Sequence, residues 1–299
     1  MHGTHHGPTI GAPKSPASSA SLLETWSIEV LPRTAAKIAD FRALLPAGTR
    51  VYIAHIDGTA VDDMVATAAR LARDGFPVVP HIPARSLESV SSLADLLGRY
   101  RGEADVRQAL LLAGGRPSPR GSLSSSLDLI ETGLFDRMGF THLHIAGHPE
   151  GSRDIDRDGS TRIVDAALLT KQGYAERTEA RIAITTQFAF DPQSIIAWSE
   201  RIATFGITLP IHVGLAGPVK LQTLLKYAVT CGIGPSLKIL QKRALDFTKL
   251  MVPYEPTELF QSLQAHKTAH SDSLIAQVHL FPLGGIEQAV RWATEKTPR

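Results

Sequence analysis

One pattern constrains this sequence more than any other. A short apolar run ends in polar or glycine residues, a stretch with helical spacing follows, and the unit recurs eight times. The runs are "TWSIEVLP" (25–32), "TRVYIAHID" (49–57), "FPVVPHIP" (76–83), "QALLLAGG" (108–115), "THLHIAGHPE" (141–150), "RIAITTQFAF" (181–190), "LPIHVGLAG" (209–217) and "VHLFPLGG" (278–285). Amphipathic segments such as "VDDMVATAARLARDG" and "PQSIIAWSERIATFG" lie between them. Short apolar runs bounded by turn residues and alternating with helices are the mark of parallel strands joined by helical crossovers. Eight such units predict an α/β fold, a (β/α)₈ TIM barrel. An open doubly wound sheet is the alternative. The seventh unit is longer and predicts extra helices near 218–230, 235–250 and 256–270. Residues 23–299 are expected to form a single barrel domain. Residues 1–22, rich in Gly, Pro and Ser and without the apolar core of a signal peptide, are expected to be a disordered tail.

The totals narrow the function. A net charge of +2 argues against a nucleic-acid binder, which needs a basic stripe. No apolar stretch reaches the ~20 residues of a membrane span. Cys231 is the only cysteine, so intrachain disulfides and cysteine zinc sites are excluded and a cytoplasmic setting is expected. No metal cofactor is expected, and the pattern leaves a homo-oligomer open.

Barrel enzymes carry their chemistry at the C-terminal strand ends. Those ends supply Glu29; His55 and Asp57; His81; Gly114 and Gly115; His148 and Glu150; Gln187 and Asp191; Gly214 and Gly217. Gln187 interrupts "ITTQFAFD" (184–191) with an amide that both donates and accepts. It either meets a ligand or satisfies loop backbone.

Further groupings bear on binding. "DIDRDGSTRIVD" (154–165) nearly spells a calcium loop, but a strand end precedes it and Asp165 stands where Glu is usual; an acidic loop leading into a helix is expected. "CGIGPSLKILQKR" (231–243) reads either as a helix stop and Pro-started helix or as a phosphate-binding turn. "GGRPSPRGSLSSS" (114–126) reads as a flexible loop over the pocket mouth, with Arg116 and Arg120 either solvated or facing an anion. His142, His144 and His148 lack a carboxylate or cysteine at ligand spacing, so a metal trio is not expected.

Four segments in order resemble the methylenetetrahydrofolate reductase family. They are "IEVLPR" (28–33), similar to E-F-F-P-P-R; "PH" (80–81); "AGHPEG" (146–151), similar to A-x-Y-P-E/K-x-H; and "ITTQFAFD", similar to I-T-Q-F-F-F-D. The resemblance runs from about Trp26 to the C-terminus. It implies a barrel that interconverts 5,10-methylene- and 5-methyltetrahydrofolate with NADH or NADPH, through FAD. Glu29 would be the general acid that opens the methylene bridge, with burial raising its pKa; pairing with Arg33 is the alternative. Gln187 would bind the pterin and Tyr227 stack on the folate. His81 would contact the flavin, and Asp165 and Lys171 its ribose and phosphate side; His148 and Glu150 lie in a shared motif and are placed with the cofactor. Ala113-Gly114-Gly115 replaces the family's R-G-D, and Ala54 its flavin-binding threonine, so direct hydride transfer from the nicotinamide is the alternative to FAD. Two other functions stay open: a folate-dependent methyl-transfer barrel, and a non-catalytic folate or flavin binder.

Overall fold

The computed structural model describes residues 21–230, 240–241 and 253–297. Eight parallel strands close into a barrel in chain order: β1 (Ser27–Val30), β2 (Arg50–Ile53), β3 (Val78–Pro83), β4 (Gln108–Leu112), β5 (His142–Gly147), β6 (Arg181–Phe188), β7 (Ile211–Ala216) and β8 (Ile275–Phe281). β1 seals the circle against β8, with Ser27 beside His279 and Ile28 beside Leu280. The fold is the (β/α)₈ barrel read from the sequence, and the open sheet is excluded.

The crossover helices are α1 (Pro32–Ala35), α2 (Phe41–Leu44), α3 (Val61–Arg73), α4 (Val90–Ala104), α5 (Ser126–Glu131), α6 (Leu134–Arg137), α7 (Arg162–Ala175), α8 (Pro192–Thr204), α9 (Leu221–Thr230), α10 (Thr257–Ala269) and α11 (Ile286–Lys296). Local sequence fixes them. In α3 the buried Met64, Val65, Ala68 and Leu71 make one apolar stripe. Asp62 and Asp63 in its first turn and Arg70 and Arg73 in its last complement the helix dipole. Asp191 caps α8 by accepting from Gln193 N at 3.1 Å, and Pro192 opens the helix. No described helix is long and apolar enough to cross a membrane.

The main core lies between strands and helices. Ile28, Val51, Ile53, Leu111, Ile184 and Leu280 point outward into it and are completely buried. Each such side chain contributes about 1.5–3 kcal/mol relative to exposure. Leu22 and Leu23 belong to this core; the Leu22 carbonyl accepts from Val278 N at 3.1 Å. A second core gathers Phe188, Phe190, Ala216, Val219, Leu224 and Tyr254 beside the long seventh unit. Two of the three extra helices expected there are α9 and α10. The one expected near 235–250, and all but two residues of the "CGIGPSLKILQKR" segment, lie outside the described residues, as does the tail through residue 20.

β8 starts three residues earlier than its apolar run suggests. The physical reason is that Gln277 and His279 are buried and polar. They face the barrel interior, and that interior is unusual.

Candidate functional site

Tyr52 shows where the interior is. Its hydroxyl meets His144 Nδ1 on β5 at 2.9 Å and Thr185 Oγ1 on β6 at 3.3 Å. Neither strand adjoins β2, so these contacts run across the barrel lumen. The Tyr52 ring also lies 4.4 Å from the His279 ring, and His144 lies 5.4 Å from His212. Nearer the N-terminal end of the strands, Arg50 Nε donates to Gln108 Oε1 at 2.9 Å. Barrel interiors are ordinarily filled by branched aliphatic side chains. This one is filled largely by hydrogen-bonding groups. Burial pulls the imidazoles of His144 and His212 down, the latter to about 3, and pushes the Tyr52 phenol up. The rings are therefore neutral at pH 7, each with one donor and one acceptor nitrogen.

Glu29 sits above this layer, at the C-terminal end of β1. Its Oε2 lies 3.3 Å from His81 Nε2 on β3 and 3.9 Å from His279 Nε2 on β8. Neither contact has full hydrogen-bond alignment. Ser27 Oγ, two residues before Glu29, meets His279 Nδ1 at 2.9 Å. Burial pushes the Glu29 carboxyl up, but the two histidines outweigh it and hold it at about 2. The expected upward shift is thereby overturned. Sequence supplied the burial and not the two imidazoles that β3 and β8 bring to the carboxylate. Arg33, the alternative partner, makes no ion pair with Glu29 among the described residues.

Gln187 lies where β6 breaks register, between Thr185 and Phe188. Thr186 Oγ1 accepts from Gly214 N at 2.9 Å. A Cβ on Gly214 would lie 2.5 Å from the Thr186 carbonyl oxygen, so only glycine permits this close approach. The bulge leaves Gln187 exposed while Phe188 and Phe190 anchor the segment in the second core. The Gln187 Oε1 accepts from Phe188 N at 3.1 Å, which satisfies loop backbone and leaves the amide NH₂ to face outward contacts.

A cavity of about 660 Å³ opens beside the barrel axis, between the ends of β4 and β5 and helices α5 and α7. Gly114, His148, Asp165, Lys171 and Trp198 line it; Glu29, His81 and Gln187 do not. Gly114 adopts φ +95°, and a Cβ there would lie 2.9 Å from that of Pro83. The Lys171 amine is buried, has no carboxylate partner among the described residues, and is pulled down to about 8 by desolvation. Burial and the nearby Lys171 charge bring His148 to about 4. Asp165 is held twice by Arg201, at 2.6 and 3.0 Å, and accepts from Thr161. Glu150 Oε1, just past β5, is buried without a partner among the described residues.

The sequence-chosen residues thus fall into separate places. Glu29 and His81 meet at the barrel mouth, and His148, Asp165 and Lys171 meet at the side cavity. Tyr227 lies on α9 with 38% of its surface exposed and does not line that cavity. His142 and His144 lie on β5 and His148 just past its end, and no group of three or more ligand residues able to hold a metal occurs among the described residues. The calcium-like loop is a capping device: the buried Asp156 carboxylate accepts from Ile163 N and Val164 N at the start of α7. Loop 114–126, expected to be flexible, is strapped down: Arg116 binds Asp57 through both carboxylate oxygens, and Arg85 donates to the Arg116 and Ser124 carbonyls. Sequence reasoning passed over Ser27, Tyr52, His212 and His279. Their signal was a polar residue at every second position of an apolar strand.

No protein-family model matches the chain. Among solved structures, the chain is similar to an uncharacterized protein from Clostridium thermocellum that binds two copies of 5-methyl-5,6,7,8-tetrahydrofolic acid. That match has 12% identity and a TM-score of 0.63, and covers 93% of this chain and 95% of that one. It supports the barrel fold over its whole length. A looser likeness, at TM-score 0.43 and 12% identity, is to dihydropteroate synthase from Thermus thermophilus, over 91% of this chain and 93% of that one.

Proposed function

We propose that this protein is a folate-binding barrel oxidoreductase that interconverts 5,10-methylene- and 5-methyltetrahydrofolate, with a nicotinamide nucleotide as hydride partner. The observation that carries the reading is Glu29, a half-buried carboxylate at the mouth of the barrel between His81 and His279. The four segments similar to the methylenetetrahydrofolate reductase family support it, and so does the full-length structural likeness to a binder of 5-methyltetrahydrofolate.

Opening the methylene bridge needs a proton at one of its two nitrogens before or as hydride reaches the carbon. Without ligand, Glu29 is ionised at neutral pH. A folate lying across the mouth strips the remaining water from the carboxylate, and desolvation favours its protonated form. Glu29 becomes an acid only when the substrate is in place. The outward NH₂ of Gln187 suits an acceptor on the pterin edge.

The residues do not fit a tightly held FAD. A pyrophosphate brings two charges, and among the described residues the cations lining the side cavity are Lys171, without a carboxylate partner, and Arg85, whose guanidinium already donates to the Ser124 and Arg116 carbonyls. Arg116 is taken by Asp57 and Asp165 by Arg201. A nicotinamide dinucleotide carries the same pyrophosphate, but it binds and leaves in each turnover and need not be held tightly, so direct hydride transfer from NADH or NADPH to the folate is the form of the reaction we favour, with Lys171 available to one anionic group. The test is Glu29→Gln: 5-methyltetrahydrofolate binding, followed by calorimetry, is expected to persist while nicotinamide oxidation is lost. Turnover that survives the substitution removes Glu29 as the acid. Binding in both proteins with turnover in neither makes the barrel a folate binder.

A further inference from the structure

Glu29 is not alone in its layer. His81 from β3 and His279 from β8 both direct Nε2 at the same atom, Oε2, at 3.3 and 3.9 Å. His279 is fully buried, and its other nitrogen is fixed by Ser27 Oγ at 2.9 Å. This contact settles which nitrogen faces Glu29, the usual role of a second partner on a histidine. Behind His279 the Tyr52 ring closes the space at 4.4 Å, and Phe281 stands edge-on at 4.8 Å. Neither Nε2 finds an aligned hydrogen-bond partner elsewhere among the described residues. Two buried imidazole nitrogens left open toward one carboxylate oxygen are costly for stability alone.

We propose that the acid of this site is a three-member unit, Glu29–His81–His279, sharing one proton, with Ser27 as the residue that positions His279. This rests on the reductase reading for its chemistry but not for its structure. The shared proton passes from an imidazole nitrogen to Glu29 Oε2, and on to the folate nitrogen whose bond to the bridging carbon breaks. The hydride of the reduced nicotinamide forms the new C–H bond. The unit takes up a proton from solvent when product leaves. The charged and titratable groups facing it are Arg50 and Tyr52 on β2, His55 beyond β2, and His144 and His212 below. Arg50 and the other imidazoles disfavour extra charge on His279, while Glu29 favours it. Interacting groups of this kind titrate as a set.

Two measurements test the unit. The first needs no turnover: histidine ring resonances are followed against pH by NMR in the wild-type protein and in Glu29→Gln. Loss of the carboxylate is expected to move the titrations of both His81 and His279 to lower pH and leave exposed His270 unchanged. If His81 and His279 titrate as in the wild type, the unit is overturned. The second is kinetic: Ser27→Ala, which removes one hydroxyl, and His279→Gln are expected to lower kcat roughly tenfold or more with folate KM unchanged. The pH profile should shift in both. Profiles that superimpose on the wild type overturn the positioning role. If the wild-type protein turns over no folate, the reductase reading fails, and the NMR result still decides the unit by itself.

Discussion

The two faces of the barrel strands make different demands. On the outer face, Ile28, Val51, Leu111, Ile184 and Leu280 are buried against helices, and any aliphatic side chain of the right size would serve. On the inner face of the barrel stand Ser27, Tyr52, His144, Thr185, His212 and His279, tied by specific contacts between strands, of which those of Tyr52 cross the lumen. The outer face specifies a barrel. The inner face specifies this one, and it places two histidines where a lone carboxylate would otherwise be.

Substitutions separate the faces. The largest effect is expected on the inner side: Glu29→Gln should lower nicotinamide oxidation by about 10²–10⁴-fold, measured at saturating folate, and should also lower the urea midpoint at pH 7, because the folded carboxyl is held below its ordinary value and that stabilisation goes with the charge. On the outer side Leu280→Ala should cost about 2–5 kcal/mol in urea unfolding, because it opens a cavity in the strand–helix core. Lys171→Met in the side cavity should work in the opposite direction. The folded-state amine titrates near 8, below its ordinary value of 10.5, so the unfolded chain binds more protons between those values. The penalty is full below pH 8 and is relieved as pH rises to 10.5. Met should therefore raise stability at pH 7 by up to about 3 kcal/mol. The wild-type protein alone should grow more stable across that window, and the same substitution should weaken any anionic ligand of the cavity. The smallest effect is that of Asp156→Ala, which uncaps α7 and should cost about 1–2 kcal/mol by thermal or urea unfolding. If calcium raises the melting temperature of the wild type and not of this variant, the capping account of that loop is wrong.

Much of the fold was legible because the outer-face residues and helix stripes repeat with fixed periods. Val51 and Ile53, or Met64, Val65, Ala68 and Leu71, announce their elements without any partner being known. The site was legible only one residue at a time. Glu29 and His81 are 52 positions apart and His279 lies 198 further on; their convergence at one oxygen depends on barrel closure between β1 and β8. Periodicity does not encode that meeting. The same holds for Asp165, which looked free until α8 brought Arg201 to it. It holds for Arg116, whose carboxylate partner sits on a loop two strands away. Gln187 was marked correctly as a strand end, but the bulge that turns it outward depends on Gly214 of the neighbouring strand.

The most direct test of the proposed activity is nicotinamide oxidation by the purified protein with 5,10-methylenetetrahydrofolate, using NADH and NADPH in turn, with and without added FAD. The account predicts folate-dependent oxidation with at least one nucleotide and no requirement for FAD. No oxidation under any of these conditions would contradict the reductase reading, and oxidation only with FAD would contradict direct hydride transfer.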